Sequence, residues 1–373
     1  MNRRTFLLGG LGVLATALGG GTWFIRQPKF GKAPSGERLA RIKASPHYVN
    51  GKFQCLEPIK TATDKEENYV LGKVKFFLQD KSALFPKQPI PSKKTDLKSL
   101  SPYEDFVVWM GHSTFYMQLS GKRILIDPVF SDYASPVFFI NKAFEGSNIY
   151  TAEDFPEIDV LAISHDHWDH LDYASIMSLR PKIREIVCPL GVGEYFEQWG
   201  FEPEHLHEED WYTEIPLAKN FSVHILPSQH YSGRFTTPNN TQWCGFAFVT
   251  PNRRVFCSGD GGYGSHFKEI GNRFGGFDLA LMENGQYNEK WHRIHLLPEH
   301  TAQACVDVGA KQVITSHHGK FALALHPWEQ PYLDMAAVSK AKPYEWLFPR
   351  LGEIAYIGKV GQIFAPWWEE ILK

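Results

Sequence analysis

The chain has 373 residues, 43% of them hydrophobic and 21% charged, which places it among globular proteins of one or two domains and excludes disordered and fibrous classes. A formal net charge of −2 removes the electrostatic reason to expect a nucleic-acid partner. The five cysteines (Cys55, Cys188, Cys244, Cys257 and Cys305) are scattered and form no Cys-x-x-Cys pair, so neither a disulfide framework nor a thiolate zinc site is expected.

Residues 1–26 read as an address. Arg3 and Arg4, followed by Thr5, Phe6 and Leu7, open a Gly/Ala-rich stretch without charge through Ile25, the pattern of a bacterial twin-arginine export signal. Residues 5–25 are just long enough to cross an apolar layer of about 30 Å, and Ala15-Thr16-Ala17 offers a small-x-small cleavage site. The expected location is therefore the periplasm, or the outer face of the inner membrane if the segment is retained as an anchor. Residues 27–104 are rich in Pro, Lys and Gly, with Pro86, Pro89 and Pro91 enforcing an extended path. They read as a tether and an arm packing on the main domain, with one helix near 65–80. The main domain is expected to span 105–373.

That domain opens with an apolar strand, Asp105 to Met110, which delivers Gly111-His112-Ser113-Thr114. Phe115 to Leu119 and Arg123 to Ile126 pair as a hairpin around Ser120-Gly121-Lys122, and the second strand ends in Asp127-Pro128. The ring of His112 is expected to tie down the turn after its strand. Hairpins followed by strand–loop–helix units predict an α/β fold, an αββα sandwich.

The densest chemical signal follows the apolar run Ile158 to Ile163. It reads Ser164-His165-Asp166-His167-Trp168-Asp169-His170-Leu171-Asp172. Three imidazoles and three carboxylates at a strand's end are donors suited to zinc and similar divalent ions, in the place where rigid scaffolds carry function. Asp166 and Asp172 read as supports for the imidazoles, or as solvated groups. Three more strands end in isolated donors. Phe221 to Pro227 delivers His230, Arg254 to Ser258 delivers Asp260 among glycines, and Gln312 to Ser316 delivers His317 and His318. Chemistry alone does not choose between His317 and His318. His205, His207, His224, His292 and His300 have no constellation around them.

The segments Trp109-Met110-Gly111-His112-Ser113-Thr114 and Ile126-Asp127-Pro128-Val129-Phe130-Ser131, with the histidine cluster, resemble the metallo-β-lactamase superfamily. The run from Asp127 to Pro136 resembles its branch of N-acyl-phosphatidylethanolamine-hydrolysing phospholipase D, and the likeness continues from about residue 45 to 340. Residues 137–150 depart from the animal enzymes of that branch.

The resemblance implies two divalent metal ions, with zinc favoured by His and Asp donors and iron or manganese suited to similar sites. It implies His165, His167 and His230 on one ion, Asp169, His170 and His317 on the other, and Asp260 bridging. An anionic two-toothed group can span ions about 3.5–4 Å apart, which agrees with the last assignment. His318 stands where the animal enzymes carry an aromatic residue, so substrate contact is open to it. His295, in Arg293-Ile294-His295-Leu296-Leu297-Pro298-Glu299, falls opposite a family position near the reacting phosphate; helix entry is its structural alternative. Asp169 and His295 are the residues on which catalysis is expected to turn.

The implied reaction is hydrolysis of a phospholipid, or another small phosphodiester, to a phosphatidic-acid-like product. A lactone or ester hydrolase of the same superfamily is the alternative enzyme, and a tethered binding protein with a vestigial site the alternative class. Val137-Phe138-Phe139-Ile140 and Ala365-Pro366-Trp367-Trp368 are expected in the core, with acyl chains or a membrane surface as their other use.

Overall fold

The computed structural model describes residues 23–58, 81–234 and 238–372. Most of the stretch expected to be an export signal, and the helix expected near 65–80, lie outside the described residues. Helix α1 (Gly36–Ala44) and a small hairpin, β1 (Tyr48–Val49) and β2 (Lys52–Phe53), come first. Next come β3 (Phe106–Trp109), β4 (Phe115–Leu119), β5 (Lys122–Ile126) and β6 (Ile158–Ala162), then α2 (Tyr173–Leu179), β7 (Ile183–Pro189), α3 (Gly193–Gln198) and β8 (Leu206–Glu209). The second half runs β9 (Glu214–Ala218), β10 (Phe221–Leu226), β11 (Gly245–Val249), β12 (Arg254–Cys257), α4 (His266–Phe274), β13 (Phe277–Glu283), α5 (Pro298–Asp307), β14 (Ala310–Ser316), α6 (Gln330–Val338) and β15 (Glu345–Leu347). β16 (Ile354–Tyr356) closes the chain's last excursion by pairing with β3.

These strands form two seven-stranded sheets, ordered β16-β3-β4-β5-β6-β7-β8 and β15-β14-β13-β12-β11-β10-β9. Both change from antiparallel to parallel pairing midway, at β5–β6 and at β12–β13. The cause is the length of the connections. Ser120 and Gly121, at φ 50° and 76°, make the two-residue turn that joins β4 to β5, whereas parallel neighbours need longer crossovers.

Side-chain alternation builds the layers. Along β3, Val107 and Trp109 join the core between the sheets, while Phe106 and Val108 join the core beneath α2 and α3. On the other side Phe256, Ala280 and Val313 pack with Phe267, Ile270 and Cys305 of α4 and α5. Both faces of each sheet are thus covered, the expected αββα sandwich, and the central strands read as unbroken apolar runs for that reason.

The N-terminal arm belongs to the same body: Ile42 and Phe53 are part of the core between the sheets. Arg38 sits among Glu194, Glu197 and Glu208, at 2.8, 2.6 and 2.7 Å. Trp367 and Trp368 are in the core, as expected. The other apolar run departs from expectation. Phe138 and Phe139 are 77% and 70% exposed, on a loop tip that nothing in the core requires.

Candidate metal centre

Strand ends from both sheets meet at one edge of the sandwich. The loop after β6 carries His165, His167, Asp169 and His170; β10 leads to His230, β12 to Asp260 and β14 to His317. Two glycines let these loops close on one another. A Cβ on Gly261 would stand 2.3 Å from Ser228 Oγ, and one on Gly262 would stand 2.2 Å from the Arg293 backbone. His112, Asp127 and His317 take positive φ of 52°, 41° and 67°, a conformation that bulky residues adopt where a surrounding site demands it.

The seven donors form a continuous set. His165 Nε2 and His230 Nε2 lie 2.9 and 3.3 Å from His167 Nδ1. Asp260 Oδ2 lies 3.0 Å from His170 Nε2, 2.9 Å from His317 Nε2 and 3.9 Å from His230 Nε2, so it stands between two groups of imidazoles. Asp169 Oδ2 is 3.2 Å from His317 Nε2 and 3.5 Å from His170 Nε2. His318 is excluded by direction. Its ring bonds Tyr332 Oη at 2.9 Å and Thr315 Oγ1 at 3.1 Å and packs on Trp109, so it has no part in substrate contact.

This donor set fits a metal. A tetrahedral ion with bonds of about 2.0–2.1 Å holds its ligand atoms about 3.3 Å apart, close to the spacings above. His170 Nε2 is buried and makes no hydrogen bond, although Asp260 is near. Burial pushes His165, His167 and His230 below the usual imidazole range, toward the neutral form that ligates. Burial also opposes charge on His170 and His317, but Asp260 and Asp169 outweigh it and push both up. A cation arriving there would therefore displace protons.

The supporting residues differ from expectation. Asp166 touches no imidazole; it accepts from Gly233 N at 2.7 Å, Tyr195 Oη at 3.0 Å and Thr241 Oγ1 at 3.0 Å. Asp172 caps α2 through Ser175 N and takes Ser131 Oγ at 2.6 Å. Asp127 is the carboxylate beneath His170, 2.8 Å from its Nδ1, and it also holds Ser164. The ring of His112 does not tie down its turn, which the backbone holds instead; its Nε2 lies 2.8 Å from Asp169 Oδ2. His205 and His207 share Glu185 at 3.3 and 2.8 Å, a small cluster that sequence reasoning left out.

Two supports were not foreseen. Buried Glu283 receives His295 Nδ1 at 2.7 Å, Leu296 N at 3.0 Å and Gly261 N at 3.4 Å. It ends the apolar run of β13, the same placement that identified the ligands, so the signal was available. Arg234 donates to the carbonyls of Asp166, Lys29 and Leu171 and lies over the Trp168 ring at 4.3 Å, fixing the histidine loop. No local sequence pattern marks it.

A cleft of about 300 Å³ opens over these groups, lined by His167, Asp169, Asp260, His317 and His295 with Trp291 and Leu323 at its apolar side. His295 stacks on His317 with ring centroids 5.1 Å apart, so it belongs to the cleft rather than only to the entry of α5.

Fold and site together define a metal-dependent hydrolase, and comparison gives the family. The Beta-lactamase superfamily domain matches residues 122–318. An uncharacterized protein of Mycobacterium tuberculosis is 34% identical over 362 residues, covering 94% of this chain and 96% of that protein. The N-acyl-phosphatidylethanolamine-hydrolyzing phospholipase D 1 of Caenorhabditis elegans is 30% identical over 259 residues, covering 63% of this chain and 72% of that one. The fold of Igni18, a metallo hydrolase from Ignicoccus hospitalis, superposes with a TM-score of 0.52 at 18% identity, over 67% of this chain and 97% of that one. The chain belongs to the metallo-β-lactamase superfamily, in the branch that includes the nematode phospholipase.

Proposed function

We propose that the protein is a dinuclear phosphodiesterase acting on a phospholipid, in the manner of a phospholipase D. His165, His167 and His230 would hold one divalent ion and Asp169, His170 and His317 the other, with Asp260 shared and zinc the favoured metal. The supporting observation is Asp260 Oδ2, placed within 3.9 Å of imidazole nitrogens from both groups. When bound, such ions bring a water near neutral pKa and stabilise charge on a phosphoryl oxygen. The chain's own residues supply the rest. His112 fixes the Asp169 carboxylate through Oδ2, and the neighbouring imidazoles keep that carboxylate ionised despite its burial, so it can accept a hydrogen bond from the attacking water at the cleft. His295, its Nδ1–H committed to Glu283, presents the Nε2 lone pair to the cleft, to take a proton from the attacking water and pass it to the leaving oxygen. Trp291, Ile294 and Leu323 give that leaving group an apolar wall.

The preference for a phosphodiester rests on the relative from Caenorhabditis elegans, whose name gives a phospholipid substrate. The deciding experiment is a substrate screen with and without chelator. Bis(p-nitrophenyl) phosphate or a phospholipid should be hydrolysed, and Asp169→Asn should abolish the turnover. Turnover confined to lactones or carboxylic esters would overturn the proposal.

A further inference from the structure

Two segments far apart in sequence present apolar side chains together on one side of the molecule. In the first, residues 23–32, Trp23 is 69% and Ile25 42% exposed. In the second, residues 133–142, Phe138, Phe139 and Ile140 are exposed in succession, the two phenyl rings edge to face at 5.4 Å. One lysine joins the segments. Lys29 Nζ donates to Pro136 O at 2.8 Å and lies 4.8 Å from the centre of the Phe24 ring. The joined surface is rigidly tied to the metal loop: Phe30 packs on Trp168 at 5.3 Å, and Arg234 donates to Lys29 O at 2.6 Å. On its other side, Ala134 packs with Phe321 and Leu323, and Leu323 lines the cleft.

We propose that this surface docks on a lipid bilayer carrying anionic head groups, with the cleft opening beside it. Three arguments select that occupant. A tip with three consecutive exposed apolar side chains is convex and suits insertion among acyl chains rather than a fit to a complementary protein pocket. Residues 23–32 and 133–142 contain Arg26, Lys29, Lys32 and Lys142 and no acidic residue, although Lys32 is engaged with Glu194 at 2.8 Å. Cations around an apolar tip match an anionic membrane surface. Finally, Trp23 directly follows residues 5–22, which carry no charged side chain. An anchored chain would thus leave the bilayer at the patch. The inference goes beyond the proposed reaction and holds whichever bond the enzyme cleaves.

The test places an environment-sensitive fluorophore on the full-length chain at Phe139→Cys and, as control, at Tyr103→Cys, where the native side chain is 94% exposed. Unsubstituted protein labelled in parallel corrects for native thiols. With phosphatidylethanolamine/phosphatidylglycerol vesicles, position 139 should shift to the blue and lose about half its emission to brominated acyl chains, while position 103 does neither. Four results would overturn the proposal. Protein that floats with vesicles while position 139 behaves like 103 is held by its N terminus alone. Protein that does not bind vesicles lacks the docking surface. A blue shift without vesicles that grows with protein concentration identifies a second copy as occupant. One that is independent of concentration identifies another segment of the same chain. None of these readouts depends on turnover, so failure of the phosphodiesterase reading leaves them intact.

Discussion

Glu283→Gln separates a structural carboxylate from a positioning one. In the native protein both oxygens of Glu283 only accept: Oε1 from His295 Nδ1, with His317 Nδ1 also 3.4 Å away, and Oε2 from Leu296 N and Gly261 N. That arrangement dictates the tautomer of neutral His295, with the proton on Nδ1 and the lone pair of Nε2 toward the cleft. A carboxamide of the same shape has one accepting oxygen. If it faces the two backbone amides, its NH2 group meets His295 Nδ1 and forces the proton to Nε2. The opposite rotamer strands two buried N–H groups at about 1–3 kcal/mol each, so the first arrangement wins. Stability should then fall by only about 1–2 kcal/mol, the loss of one charge-assisted bond. Turnover should fall about 10²–10⁴-fold, the range for a misprotonated acid–base imidazole. Nitrogen NMR of labelled histidine reads the tautomer, denaturant unfolding the stability, and steady-state kinetics should place the loss in kcat rather than KM. A variant with wild-type kcat, or one whose His295 keeps its proton on Nδ1, would refute the reasoning.

Asp260→Asn should retain the fold but lose about half or more of the bound metal, measured by elemental analysis, because the substitution removes the negative charge that Asp260 places between the two imidazole groups. Chelation should lower the thermal midpoint, and added zinc should restore it in a concentration-dependent way; a midpoint indifferent to chelator would count against a metal linked to the fold. Arg234→Ala leaves the carbonyls of Asp166, Lys29 and Leu171 without their donor, and unfolding should show a loss of about 3–5 kcal/mol. Lys320 is fully buried, and burial brings its ammonium from 10.5 down to about 7. Below pH 7 both folded and unfolded chains carry that proton, whereas between pH 7 and 10.5 the unfolded chain holds it and the folded one does not, so stability rises with pH across the window. The group contributes on the order of 5 kcal/mol to that rise, and Lys320→Met should remove it, leaving a flatter pH dependence in chemical denaturation.

What could be read from the residues, and what could not, follows from the distance over which each signal acts. The strands that carry ligands are buried on both faces, so they stand out as apolar runs, and the donors at their ends are visible because polar groups there interrupt the run. The same rule, applied to β13, would have drawn Glu283 into the site. Strands such as β8 (Leu206–Glu209) and β16 (Ile354–Tyr356) are short and lie at sheet edges, where part of each strand faces solvent and the apolar run that identifies a central strand does not form. Supports for the ligands obey a different logic. Asp166 and Asp172 are neighbours of the histidines in sequence, yet a loop turning away from its strand sends adjacent side chains in different directions. The carboxylate under His170 comes instead from Asp127, across the sheet on β5's end, because β5 and β6 are parallel and Ile126 is registered beside Ala162. Adjacency in a parallel sheet thus places the end of one strand beneath the loop of the next. Arg234 lies further still from any local pattern, since the carbonyls it holds lie in the histidine loop and the N-terminal arm and meet it only when the second sheet packs on the first. The exposed loop at Phe138 and Phe139 is the converse case: hydrophobicity alone assigned it to the core, and only the folded arrangement shows that the sandwich is already filled without it.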